Sequence, residues 1–390
     1  MTPAALVSAG PYSVYGIFGY TNLLGQYNRV EQTGRRESKR GEDQAPTSAR
    51  SVPHQRYAAI GRSPVHAARG RPGFTARSAL PPRPILTPAP ADYTPFMDMS
   101  RRALLGAVAA GVLTGQPRAY RIIDSHVHVW KKDPQYPWAR ETVKPPEKDA
   151  TPEMLLALMR ANGIERTVII QVIHYRWDNR YLADTLKRYP QYFRGVARVN
   201  PESPAAPDDL SALVEQGFRG VRLSPSGDAG GDWIRGPLMP PLWRRCRDLK
   251  APMTVLAPVT RMPDVAQLVE KFPDLTVVID HMADSPIDKP QELQKLLALA
   301  RYPKVFVKVS HTWSLSRQPY PYRDTHAQVK RLYDGFGPQR LMWGTDWPLV
   351  ENFCGYAKAL ALVRDEMSFL NEEDKSWMLS RTVERVWPFA

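Results

Sequence analysis

The sequence predicts an α/β fold: a (β/α)8 or TIM barrel over residues 120–390, preceded by a long N-terminal extension with little stable structure. Three observations predict the barrel. Short apolar runs alternate with amphipathic helical stretches, the pattern of βα units around a parallel sheet. Eight such units fit into about 270 residues, the usual size of this barrel. No Gly-rich phosphate turn follows the first strand, as an open doubly wound sheet would favour.

The elements follow in order. Arg121–Val129 reads as the first strand. A Pro-rich loop from Asp133 to Ala150 leads to a helix started by Thr151-Pro152-Glu153 and stopped by Asn162-Gly163. Arg166–Val172 is the second strand and Asn179–Tyr189 its helix. Strands three to eight are read at Gly195–Val199, Gly220–Leu223, Met253–Leu256, Thr276–Asp280, Val305–Val309 and Leu341–Trp343. The helices between them are Pro207–Glu215, Pro240–Leu249, Asp264–Lys271, Gln291–Ala300 and Thr325–Tyr333.

The leading segment is different in kind. From Thr33 to Thr94 it is rich in Arg, Pro, Ser, Gly and Ala without an apolar period, so burial cannot offset the entropy of ordering it. Residues 1–96 are therefore expected to be an unstructured extension lying upstream of the true start. Residues 97–119 have the layout of an export signal: Ser100-Arg101-Arg102 precedes the apolar core Ala103–Leu113, and Gln116-Pro117-Arg118-Ala119 offers a cleavage region. The run resembles a twin-arginine signal with translation starting at Met97 or Met99; an ordinary helix before the barrel is the alternative. Export to the periplasm follows from the first reading and a cytoplasmic protein from the second.

Net charge is +14, which by itself suggests nucleic acid. Its distribution argues otherwise. Residues 1–118 hold 15 Lys and Arg against 6 Asp and Glu, and the remainder 38 against 33. The barrel is only mildly basic and lacks basic patches interleaved with aromatics, so nucleic-acid binding is excluded as a reading. No stretch of the barrel is long and apolar enough to span a membrane. Cys246 and Cys354 lie far apart and form no CxxC, which points to two plain thiols.

In such a barrel the chemistry sits at the C-terminal strand ends. Those positions hold five of the eight histidines: His126 and His128 after strand one, His174 beyond strand two, His281 after strand six and His311 after strand seven. On a strand, residues i and i+2 share a face, so His126 and His128 project together. The same rim carries Gln171, Arg198, Arg222, Lys308 and Asp346. His326, on a helix, reads as a surface residue.

Asp124-Ser125-His126-Val127-His128, His281 and Trp343-Gly344-Thr345-Asp346-Trp347-Pro348 together resemble the amidohydrolase superfamily. Within it they are most similar to the amidohydrolase-related barrel hydrolases that include lactonases. Asp178–Leu182, Phe193–Pro201 and Gly217–Leu223 add to the likeness, which covers residues 121–390. Metal-dependent members place a further histidine after strand five; here that strand runs Met253-Thr254-Val255-Leu256-Ala257-Pro258 and has none. The resemblance is thus to the lactonase branch, where the metal site is reduced.

It implies hydrolysis of a small anionic lactone. Asp346 is the expected base for the attacking water, and His126, His128 and His281 are expected to polarise the carbonyl. They can do so as hydrogen-bond donors, or with His126, His128 and Asp346 holding Zn²⁺ or Mn²⁺. Arg198, Arg222 and Lys308 are expected to bind the substrate's anionic group, with Gln171, His174 and His311 as further substrate contacts. Two rival readings are a zinc-dependent decarboxylase of an aromatic or unsaturated acid and a non-catalytic binding protein on the same fold. A homo-oligomer is left open.

Overall fold

The computed structural model describes residues 120–224 and 233–389. The predicted extension 1–96, the signal-like segment 97–119 and most of the Gly-rich part of Ser224–Gly236 lie outside them. Eight parallel strands run in sequence order: β1 Ile123–Val127, β2 Arg166–Ile170, β3 Phe193–Val196, β4 Val221–Leu223, β5 Met253–Val255, β6 Val277–Ile279, β7 Val305–Val309 and β8 Leu341–Trp343. They form a three-stranded sheet β1–β2–β3 and a five-stranded sheet β4–β5–β6–β7–β8. Single parallel bridges join these two sheets on both sides, Ala197 with Val221 and Val127 with Trp347, so the ring closes. Several strands are shorter than the apolar runs suggest: β1 is Ile123–Val127 rather than Arg121–Val129, and β6 is Val277–Ile279 rather than Thr276–Asp280.

Helices α1 Pro152–Asn162, α2 Arg180–Arg188, α3 Ala206–Glu215, α4 Met239–Asp248 and α5 Met262–Lys271 follow the first five strands, as the amphipathic stretches predict. α1 starts where Thr151 accepts a hydrogen bond from Met154 N and ends at Gly163, whose φ of +67° needs no Cβ. The sixth unit departs from expectation. Gln291–Ala300 breaks into α6 Leu293–Leu297 and a 3₁₀ turn, Ala298–Arg301. Next come α7 Thr312–Leu315 and α8 Arg323–Phe336, then a C-terminal group, α9 Gly355–Ala361, α10 Glu372–Ser376 and α11 Thr382–Val386.

Two apolar layers result, because alternate strand residues face opposite sides. Val277, Ile279, Val305, Val307, Leu341 and Trp343 pack outward with the helices. Ile123, Val168, Ile170, Val196, Val278, Phe306 and Met342 fill the ring. Val383, Val386 and Trp387 from the C-terminal end join that inner layer. They plug the N-terminal mouth of the barrel, leaving the other mouth for chemistry. No helix among the described residues is long and apolar enough to cross a membrane.

Candidate active site

Above the inner apolar layer, the same alternation delivers polar groups. Past Phe306, β7 turns Lys308 and then Ser310 inward; past Val278, β6 turns Asp280 inward. Lys308 Nζ sits 3.1 Å from Asp280 Oδ1, and Arg222 Nε sits 3.1 Å from Asp280 Oδ2. Burial works against the Asp280 carboxylate, but Lys308, His126 and Arg222 hold its pKa well below the usual range. Lys308 and Arg198 are fully buried, and Arg222 nearly so. The structure therefore corrects the rim placement expected for these three: they form a charged layer beneath the rim, and Lys308 and Arg222 both face Asp280. An Asp and a Lys at inward positions of neighbouring apolar strands must pair, and that signal was readable in the alternation.

His126 stands on this layer. Its Nδ1 is 3.1 Å from Lys308 Nζ and 3.3 Å from Asp280 Oδ1. Its Nε2 is 3.3 Å from His128 Nε2 and 3.5 Å from Asp346 Oδ1. Burial and the Lys308 charge push the His126 pKa down to about 3, so the ring is neutral. His128 Nδ1 lies 2.8 Å from Ile170 O, and its Nε2 lies 3.1 Å from Asp346 Oδ1.

On the opposite side His281 and His311 stack, with ring centroids 3.6 Å apart and planes 7° from parallel. His281 Nδ1 contacts Ser310 Oγ at 2.8 Å. His311 Nε2 is 2.5 Å from Asp346 Oδ2, and Nδ1 is 3.5 Å from Asp284 Oδ1. Burial opposes charge on His311, yet Asp346 and Asp284 together raise its pKa to about 10. It is an imidazolium. Against the cost of burial, that cation and the contacts from His128 and His126 hold Asp346 well below the carboxylate range. The sequence suggests His311 only as a further substrate contact; here it is the closest partner of Asp346.

The backbone at these positions is unusual. His281, His311 and Asp346 have φ of +52°, +60° and +61°, and Met282, Ala283 and Asp284 continue the left-handed turn after His281. Each such residue costs about 1–2 kcal/mol. The surrounding hydrogen bonds hold Asp346 there. Asp124 accepts from His126 N at 3.0 Å, Thr345 N at 3.1 Å, Thr345 Oγ1 at 2.6 Å and Tyr356 OH at 2.8 Å. Asp346 N donates to His126 O at 2.8 Å. Burial raises the Asp124 pKa to about 6 despite those four bonds. Gly344 makes this seam possible: a Cβ there would lie 2.8 Å from His126 Cβ. Asp124 and Tyr356 were not singled out in the sequence, because a buried acceptor looks like any strand-end Asp.

The remaining predicted residues lie further out. Gln171 is buried and donates to Asp178 O at 2.5 Å. Asn179 accepts from Arg198 N and donates to Arg198 O, pinning the loop that brings Trp177 to 5.9 Å from the Arg198 guanidinium. His174 lies edge-on to Trp130 and Trp138, and burial with the nearby His128 lowers its pKa to about 4. Trp313 packs on His311 and stacks on Phe353, forming an aromatic wall beside the centre.

His126 Nε2, His128 Nε2 and Asp346 Oδ1 converge within 4.8 Å of one another. Asp346 Oδ1 is buried and receives no hydrogen bond from the described residues. Two imidazole nitrogens and an orphaned carboxylate oxygen are a donor set that fits Zn²⁺ or Mn²⁺.

The amidohydrolase family model matches residues 123–389. An L-fucono-1,5-lactonase of Burkholderia ambifaria is 31% identical over 249 residues, covering 61% of this chain and 85% of that protein. A 4-sulfomuconolactone hydrolase of Hydrogenophaga intermedia is 27% identical over 231 residues, covering 58% and 74% respectively. The crystal structure of an amidohydrolase from Burkholderia multivorans with bound zinc aligns with a TM-score of 0.58 and 22% identity, covering 69% of this chain and 100% of that one. At that identity the structural likeness is one of fold. With the match running from β1 to the C-terminal plug and taking in each histidine and aspartate of the centre, this chain belongs to the amidohydrolase family of barrel hydrolases.

Proposed function

We propose that the protein opens a small anionic lactone by water attack at the ester carbonyl. One observation carries the reading. Asp346 is ionised and buried; His311 occupies its Oδ2, and Oδ1 is left to face His126 and His128 without a donor. An oriented carboxylate oxygen with a spare lone pair is what a general base for water requires. In this reading Asp346 Oδ1 takes the proton from water as the oxygen attacks. His126 and His281 line the place where the carbonyl oxygen becomes an oxyanion. Asp346 then returns its proton to the ring oxygen that leaves, while His311 holds the carboxylate in place throughout. A divalent ion held by His126, His128 and Asp346 would supply Lewis acidity at the carbonyl or the water.

The anionic group of the substrate is assigned to Arg198 and Arg222. Burial and the neighbouring guanidiniums of Arg222 and Arg176 push the Arg198 pKa well below its ordinary range. A substrate carboxylate or sulfonate beside them relieves that mutual repulsion. The two relatives above, both named for lactones, support the reaction class. A panel of neutral and anionic lactones, assayed with and without chelator, tests it: anionic lactones should turn over best, and carbon dioxide release without lactone opening would replace hydrolysis by decarboxylation.

A further inference from the structure

At the N-terminal mouth of the barrel, opposite the hydrolytic centre, three successive strands each carry an arginine at or just before their start: Arg166 on β2, Arg194 on β3 and Arg219 ahead of β4. Arg166 and Arg194 stand two residues before Val168 and Val196 of the inner layer, so strand alternation turns both toward the mouth. Arg219 comes alongside, its N donating to Gly195 O at 2.8 Å. The Phe389 ring lies against the first two, its centroid 4.7 Å from the Arg194 guanidinium carbon and 5.9 Å from that of Arg166. Neutral acceptors hold these cations in place. Arg194 donates through Nε to Pro388 O at 2.8 Å, and through Nη1 to Pro190 O and Phe193 O, each at 3.0 Å. Arg219 Nη1 donates to Phe218 O at 3.0 Å. Arg166 Nε is buried and has no hydrogen-bond partner among the described residues.

Among the described residues no carboxylate pairs with any of the three. Glu165, next to Arg166 in sequence, faces Arg121 instead, at 3.7 Å. The cations therefore bear on one another: burial, then Arg219, then Arg166 lower the pKa of Arg194. We infer that Arg166, Arg194 and Arg219 form an anion site at the N-terminal mouth that takes a phosphate group, free or carried by a small metabolite. Guanidiniums laid on a ring and pinned by carbonyls keep their other N–H edges for an oxyanion, which they bind with paired hydrogen bonds. Phosphate suits the site better than a carboxylate, because cations from three strands meet oxygens on more than one side, and a dianion offsets more of their charge. The inner apolar layer and Trp387 separate this site from the hydrolytic centre.

Calorimetric titration of the full chain with inorganic phosphate, and separately with glycerol phosphate, at fixed ionic strength tests the site. At least one of the two should bind saturably, and Arg166→Gln and Arg219→Gln should each weaken that binding by about tenfold or more, the scale of one lost charge-assisted contact. Arg166 makes no hydrogen bond to lose and Arg219 is exposed, so both variants should fold and should turn over substrate as the unsubstituted protein does. Equal affinity for the two probes marks free phosphate as sufficient; tighter binding of the ester marks a phosphorylated metabolite. Absence of saturable binding by both probes overturns the inference. So does binding that either substitution leaves unchanged, since it then belongs to other cations such as Arg198 and Arg222.

Discussion

His311 donates through Nε2 to Asp346 Oδ2 at 2.5 Å while its ring lies flat on His281. The pair fixes which carboxylate oxygen is left for chemistry. It also makes a pH prediction, because the His311 pKa is raised to about 10 and that of Asp346 is held well below its ordinary value. Both charges persist across the neutral range. With lactone self-hydrolysis subtracted, kcat/KM should stay level through neutral pH and fall as pH rises through about 10, where His311 loses its proton. His311→Gln should lower kcat by about a hundredfold, the scale of losing one preorganised electrostatic partner, and should abolish that basic limb. A variant with normal kcat and an unchanged profile would remove His311 from the centre.

His174 links the site to stability in acid. Its pKa is lowered to about 4 by burial and by His128, against 6.5 when unfolded. A depressed folded pKa favours folding above the unfolded value, and this contribution is lost as pH falls from about 6.5 toward 4. The loss is at most about 3 kcal/mol. Urea midpoints measured between pH 7 and 4 should fall less steeply for His174→Gln than for the parent. Parallel curves would show that the imidazole stays hydrated in the fold.

Gly344 lets β8 close against β1. A methyl group there would lie 2.8 Å from His126 Cβ, 3.0 Å from Ser125 Oγ and 3.1 Å from His126 N. Backbone cannot yield as a flexible side chain would, so Gly344→Ala should cost about 1–3 kcal/mol of stability. Because His126 is displaced, kcat should fall as well. A denaturant midpoint equal to the parent's would contradict the close approach.

Tyr356 reaches from α9 to Asp124 Oδ2 at 2.8 Å. Tyr356→Phe removes one of four donors to a buried carboxylate and should destabilise by about 1–3 kcal/mol. Thr345→Val removes another donor from the same carboxylate, along with the Oγ1 that accepts from Trp347 N at 3.0 Å. Because the two bonds share Asp124, the double variant should differ from the sum of the singles in a double-mutant cycle. Strict additivity would mean that the two bonds act independently.

Much of this architecture is legible in the sequence, for physical reasons. Strand and helix periods differ, so eight βα units can be read, and histidines gathered at strand ends mark the rim. His126, His128 and Asp346 converge within 4.8 Å of one another, and His281 lies beside His126 and His311. What the sequence hides is depth and backbone conformation. Arg222 looks like a rim cation, because its partner Asp280 is 58 residues away and two strands along the same sheet. His311 looks like a loop residue until its left-handed φ lays it on His281. The break of Gln291–Ala300 into a short α-helix and a 3₁₀ turn has no counterpart in its composition, which is that of an ordinary helix.

Asp346→Asn tests the central claim most directly. The amide keeps the shape and can still contact His311, so the fold should be retained, with some stability lost as the buried imidazolium loses its counter-charge. It cannot take a proton from water. Steady-state hydrolysis of the best anionic lactone should fall by at least a thousandfold in kcat with KM nearly unchanged. An Asp346→Asn protein that retains a tenth or more of the parent kcat would contradict the assignment of Asp346 as the base.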